Sequence, residues 1–196
     1  MSTNSLVAYV GLDGTVTSSY VHYDGYTTGV GEMLLENYNT DKCARDLASC
    51  LGYASSLKET ISESHEDRAN SDEAEVYSDY HEFEEYIREN SHLEYVYVWH
   101  ETEGKWRVAT WETTKKKVHN GMCFDYEFDY NWNGFEDLVT VYIREGNETV
   151  TRYRKMVSEG RIGDEYLDYA SELEEVVSRY HRAAMSEVVE REFATA

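Results

Sequence analysis

The sequence predicts an α+β fold, and three features carry that reading: hairpin signatures at residues 5–26 and 94–112, and a long amphipathic helical pattern at the C-terminal end. The expected architecture is one or more antiparallel sheets packed against a few helices. These include a long C-terminal amphipathic helix and a helix over residues 73–90. With 196 residues, 41% of them hydrophobic, the chain can bury a sizeable core as one large domain or two small ones.

The first hairpin reads from an apolar run, Leu6 to Val10, then the Asp13-Gly14 turn signal, then the β-branched and aromatic residues from Val16 to Tyr23. Residues 29–38 read as a helix, with Val30, Met33, Leu34 and Tyr38 on one face. Thr40-Asp41 offers an N-cap to a second helix that carries Cys43, Leu47, Cys50 and Leu51, and Gly52 ends it. A short segment follows, opened by Ser55-Ser56 and running through Leu57 and Ile61.

Composition shifts at residue 62. Ser62 to Asp72 lacks apolar periodicity and reads as a loop. From Glu73 the spacing of Val76, Tyr80, Phe83 and Ile87 predicts an amphipathic helix. The second hairpin sets Tyr95–Trp99 against Trp106–Trp111 across Glu103-Gly104-Lys105. Lys115-Lys116-Lys117 reads as a solvated basic turn. Residues 122–130 alternate strictly, with Met122, Phe124, Tyr126, Phe128 and Tyr130 on one side and Asp125, Glu127 and Asp129 on the other. That is the pattern of a half-buried strand. Leu138–Arg144 is expected to pair with it across Asn133-Gly134, and Val150–Met156 reads as a further strand. A helix over about 164–192 closes the chain, with Leu167, Ala170, Leu173, Val177, Tyr180, Ala184 and Val188 in its stripe. A boundary near residues 62–72 would divide a hairpin-plus-helices module, 1–61, from the remainder, 62–196, unless both form one continuous domain.

Charge is the outlying property. Thirty-nine acidic residues face eighteen basic ones, for a formal net charge of −21. Such a balance opposes direct binding to nucleic acid or to anionic membrane and favours basic partners. The bland alternative is that the charge serves solubility or reflects a salty cytoplasm. Acidic disordered chains are poor in aromatics, whereas this one has 18 Tyr, 5 Phe and 4 Trp, so folding is expected. Three cysteines, Cys43, Cys50 and Cys123, contain no CxxC pair. Buried free thiols in a reducing compartment, the (host) cytoplasm, are the expectation. No leader or membrane-spanning run is legible.

The acid is densest between residues 63 and 89. Glu63, Glu66, Asp67, Asp72, Glu73, Glu75, Asp79, Glu82, Glu85 and Glu89 are the candidate partner-binding residues, and the outer face of the C-terminal helix comes second. Helical carboxylates three or four residues apart sit about 5–6 Å from each other, on the scale of phosphate spacing along a DNA strand. An array of this kind could compete with DNA for a basic cleft, although a charge run is also what any solvated face presents. The scarcity of compensating Lys and Arg favours the former.

Other chemistry is thinly supported. Asp129 to Asp137 matches the first half of a calcium loop, but Thr140 stands where a bidentate Glu is required, and a β-turn at Asn133-Gly134 is the simpler reading. The seven histidines form no HExxH or HxH pattern. His65-Glu66-Asp67 lacks the further ligands of a metal-dependent phosphohydrolase. No P-loop, GxGxxG or GxSxG occurs in a fitting context. No catalytic residue, metal or cofactor is assigned.

The string His22-Tyr23-Asp24-Gly25-Tyr26, preceded by the Asp13-Gly14 turn and followed by Gly31, Leu34, Leu35 and Tyr38, resembles the opening of a family of small bacteriophage proteins. There an aromatic-rich H-aromatic-DGY block leads into a GxxLxxxY helix. Tyr23 stands where Trp is commoner, and Thr27 where Pro commonly follows. The likeness covers about the first sixty residues. It implies a phage or mobile-element origin and carries no activity. The same residues would also serve as packing between hairpin and helix. In charge character the chain is similar to phage and plasmid antirestriction proteins that mimic DNA. The expected function is therefore a non-enzymatic inhibitor of a basic nucleic-acid-binding host protein, such as a defence nuclease or the transcription machinery. The alternatives are a carboxylate-metal enzyme acting on nucleotides and a structural or assembly protein of the virion. Homodimerisation is left open.

Overall fold

The computed structural model describes residues 3–65, 73–90, 92–120, 123–132 and 134–194. It is α+β, and the chain divides into two compact units, residues 1–137 and 138–196. Strands from both sides of residues 62–72 share one sheet.

β1 (Ser5–Val10) and β2 (Val16–Val21) form the first hairpin, with Val10 opposite Val16 and Ser5 opposite Val21. β5 (Tyr95–His100) and β6 (Lys105–Asn120) form the second. A parallel pairing of β1 with β5 joins the two hairpins edge to edge. The outer edge of β2 takes β3 (Tyr53–Ala54) in parallel and β4 (Glu75–Tyr77) in antiparallel register. On the far side β6 pairs with β7 (Cys123–Trp132) and with β8 (Glu136–Asp137). The order is β3-β2-β1-β5-β6-β7, so the sheet is mainly antiparallel with parallel pairs at β1·β5 and β2·β3.

Helices cover both faces. Alternation along the strands sends Leu6, Ala8, Val16, Val96 and Val98 to one side, where they meet Tyr77, Phe83, Ile87 and Leu93. Phe83 and Ile87 belong to α4 (Tyr80–Glu89). Val7, Tyr9, Ser19, Val21, Tyr97, Trp99 and Trp106 are buried on the other side. There a single π-helical turn (Thr27–Gly31) runs into α1 (Glu32–Asn37), followed by α2 (Asp41–Cys50). Polar tips fasten this layer: Ser19 Oγ donates to the Ala48 carbonyl (2.8 Å), Trp106 Nε1 to that of Tyr38 (3.1 Å) and Tyr97 OH to that of Gly25 (2.8 Å). The predicted cap of α2 is present, Thr40 Oγ1 accepting from Cys43 N at 3.3 Å. The helix buries Ala44, Leu47 and Ala48, with Leu51 behind them, so neither Cys43 nor Cys50 is buried as expected. Cys43 is half-buried and Cys50 exposed, both outside a disulfide.

Four further expectations change. The helix predicted from Glu73 begins only at Tyr80, because residues 75–77 take up the open edge of β2 instead. Val76, assigned to the helix stripe, is a 70% exposed residue of that strand. The strands predicted at Leu138–Arg144 and Val150–Met156 are one helix, α5 (Leu138–Ser158). Its buried residues, Leu138, Val141, Tyr142, Gly146 and Val150, step by three and four, and that period outweighs the β-propensity of its valines. Lys115–Lys117 is no turn: the three residues continue β6, opposite Phe128, Glu127 and Tyr126. Ser62–His65, expected in a loop, belongs to α3 (Ile61–His65). The rest of that segment, with Met122 and Asn133, lies outside the described residues.

The second unit is a helical hairpin of α5 and α6 (Glu165–Ala194), the latter at the predicted place. Of its predicted stripe, Ala170, Leu173 and Val177 are buried and Leu167 is 38% exposed, while the Val188 side chain lies outside what is described. Tyr142 and Tyr180 meet edge to face at 5.3 Å, and Arg154 grips Glu174 with two bonds of 3.1 and 2.7 Å. Among the described residues no helix is long and apolar enough to cross a membrane.

Candidate interaction surface

The acidic face is built on α4. Phe83 and Ile87 anchor the helix to the sheet, and the same turn geometry sends Glu82, Glu85 and Glu89 to the opposite side. At 1.5 Å rise per residue these three carboxylates mark a line of about 10 Å. Glu84 pairs with Arg88 at 3.9 Å and Glu85 with His81 at 3.8 Å, both at the one-turn spacing and both exposed enough to contribute little.

The start of the helix uses two of the candidates structurally. Asp79 is the N-cap and accepts from Glu82 N at 2.9 Å. Glu82 folds back to accept from Ser78 N and Ser78 Oγ, both at 2.7 Å. This is a capping box displaced by one residue, and the Ser78 bonds hold the Glu82 carboxyl below its ordinary range. Glu75, on β4, accepts from the buried Tyr77 hydroxyl at 2.6 Å. Glu63 caps α3 through Thr60 N (3.1 Å) and Thr60 Oγ1 (2.7 Å).

The structure thus brings Glu73, Glu75, Asp79, Glu82, Glu85 and Glu89 together along β4 and α4, all exposed. Glu63 sits apart on α3, itself exposed, and Glu66, Asp67 and Asp72 lie outside the described residues. His65 is engaged with the Leu51 carbonyl at 2.9 Å. Residues 129–132 are extended in β7, and Asp137 pairs with Lys105 at 3.0 Å, an arrangement unlike a coiled calcium loop. No group of three or more His, Cys, Asp or Glu placed to hold a metal occurs among the described residues.

The division into units sharpens the charge reading. Residues 1–137 carry 27 acidic and 10 basic residues, a net of −17, whereas 138–196 carry 12 and 8, a net of −4. The outer face of α6, the second candidate surface, mixes Glu172 and Glu175 with Arg179 and Arg182, as an ordinary solvated face does.

The aromatic block of the first sixty residues forms a tight fold beside the sheet. Asp24 adopts φ 58, and its carbonyl accepts from Val30 N at 2.8 Å across the π-turn. A Cβ on Gly25 would strike the Thr3 carbonyl, and one on Gly29 the Asp24 carbonyl, so both positions demand glycine. His22 stacks against Tyr53 and meets Tyr23 edge-on. The block also walls a groove whose acids, Asp24, Glu32, Glu36 and Glu59, sequence reasoning did not single out. Their only legible signal was the one-turn spacing of Glu32 and Glu36. No family model, curated protein or solved structure matches the chain.

Proposed function

We propose that this chain is a phage-encoded acidic inhibitor that occupies the basic nucleic-acid-binding surface of a host protein, a defence nuclease or part of the transcription machinery, by DNA mimicry. The observation that supports this reading is the net −17 of residues 1–137, together with Glu73, Glu75, Asp79, Glu82, Glu85 and Glu89 lying exposed along β4 and α4. Fixed carboxylates give up little conformational freedom on binding, which an acidic tail would not achieve. Ordered charge on an element such as α4 also competes with phosphates through the same Lys and Arg of the partner.

The test uses the full chain, immobilised, in host lysate at low and high salt. The expected result is capture of a nucleic-acid-binding protein that duplex DNA displaces and high salt releases. A Glu73→Gln/Glu85→Gln/Glu89→Gln variant, which spares the helix cap, should lose it. Retention that neither DNA nor salt disturbs would overturn mimicry. Tight stoichiometric binding of Mg²⁺ or Mn²⁺ by calorimetry would transfer support to a metal-dependent enzyme.

A further inference from the structure

The outer edge of β4 is open: the strand pairs with β2 on one side, and among the described residues no strand lies on the other. Its bonding register follows from β2. Tyr20 N donates outward to the Gly52 carbonyl at 2.7 Å, so Ser18 and Val16, two and four residues earlier, face that same edge. Their partners Glu75 and Tyr77 are therefore the hydrogen-bonded positions of β4, and Val76, opposite Thr17, is the non-bonded one. Val76 thus turns its N–H and C=O away from β2, and among the described residues neither has a partner. Its side chain is 70% exposed. The free edge stops at Ser78, whose N–H is taken by Glu82 at 2.7 Å.

Sheet edges are ordinarily blunted by charge, proline or a covering element. Here the position that presents a free donor and acceptor is an uncharged β-branched residue, suited to a further strand. Alternation sets Glu75 with the buried Tyr77 on the α4 face and Val76 on the other. Exposed Glu73, Asp79, Glu82 and Glu85 surround it with negative charge. A second copy of the chain fits poorly, because pairing edge to edge would bring these carboxylates against their own kind. We infer that β4 is a docking edge for an extended basic segment of a protein partner, which adds as an antiparallel strand and exchanges two backbone bonds with Val76. Alternate cationic residues of that segment face Glu75 and α4, and the residues between them lie beside Val76. The inference rests on the proposed function for the partner's basic character and adds how the partner is held.

The probe is a short synthetic peptide alternating Lys and Val, with a counterpart N-methylated at its valines, whose N–H groups would otherwise meet the Val76 carbonyl. Both are titrated into the full chain and followed by amide NMR. The plain peptide should shift the Val76 amide and slow its hydrogen exchange, and the N-methylated one should bind about tenfold more weakly. Val76→Pro removes the outward N–H without breaking a bond to β2, so it should keep the melting temperature and weaken the peptide about tenfold. Val76→Ala, which keeps the N–H, should bind nearly as the native chain does. An unmoved Val76 amide, equal affinity for the two peptides, or a folded Val76→Pro variant that binds like the native chain would overturn the docking edge. Should Val76→Pro fail to fold, the N-methylated peptide decides alone. A dimer in sedimentation that Val76→Pro abolishes would assign the edge to a second copy and overturn the partner. If the peptide adds to β4 while lysate capture fails, the proposed function falls and the docking edge stands. If capture succeeds and Val76→Pro leaves it intact, only the docking edge falls.

Discussion

Tyr9 on β1 engages two residues of α2 with one hydroxyl. It donates to Asp41 Oδ1 at 3.0 Å and accepts from Arg45 Nη2 at 2.7 Å, while Arg45 also reaches Glu101 at 3.0 Å and Trp99 Nε1 reaches Asp41 at 3.3 Å. Burial pushes its pKa up to about 12, against the Arg45 guanidinium, which favours the phenolate. Tyr38 is likewise raised to about 12 by burial. The folded state therefore holds these protons more tightly than the unfolded chain, whose tyrosines titrate near ~10. The stabilisation is complete below about 10 and is lost as pH rises through about 12. Phenolate absorbance should accordingly appear in two phases, the later one coinciding with alkaline unfolding. Tyr9→Phe removes both hydroxyl bonds and should cost about 1–3 kcal/mol in urea titration, since each lost bond is to a charged group.

At the scale of elements, α4 shows why charge and stability must be separated before function is tested. Asp79→Ala removes a cap and should lower stability by about 1 kcal/mol, whereas Glu85→Gln should stay within about 0.5 kcal/mol. Urea melts of the two variants check this. In the helical hairpin, a Cβ on Gly146 would run into Val177 Cγ2, the end of a stiff β-branched side chain. Gly146→Ala should therefore destabilise the hairpin despite the ~1 kcal/mol that alanine gains in helix propensity. Combined with Val177→Ala it should cost less than the sum of the two single changes, a coupling that thermal melts can measure. Leu138–Arg144 reads as a strand because a run rich in valine and tyrosine follows the Asn133-Gly134 turn signal, and the three-and-four spacing shows only when it is followed through Val150 and matched to Leu173 and Val177.

For the whole molecule, the net charge of −21 sets the behaviour. Self-repulsion among unscreened carboxylates lowers stability, so the melting temperature should rise as NaCl is added, most steeply at low ionic strength. Salt should act oppositely on partner binding, weakening it. On the proposed function, the same change would make the protein more stable and its binding weaker. Parallel melting and capture measurements over one salt series would expose that divergence.

Local order was legible in the sequence wherever it depended on neighbours along the chain. Both hairpins, the Thr40 cap, the C-terminal helix and the acid-rich segment follow from turn residues, alternation and spacing. Where long-range partners decided, the sequence was silent. Residues 75–77 became a strand because β2 had an open edge, and nothing within those residues records that edge. Tyr95–His100 joined β1 in parallel because chains of hydrophobic residues pair on either side equally well until a sheet orders them. The candidate surface was half visible: its carboxylates could be counted, and the bonds of Asp79, Glu82 and Glu75 are local, reaching two to four residues along the chain, but only the packing of Phe83 and Ile87 left Glu85 and Glu89 on the outer face. The groove beside Tyr26 was beyond reach, since Asp24, Met33 and Glu59 are brought together by the close approach that Gly25 and Gly29 permit. The sequence by itself determined the sign and density of the charge. Tertiary structure decided where that charge is held, because burial of Phe83 and Ile87 orients α4 and no local pattern orients a helix against a sheet.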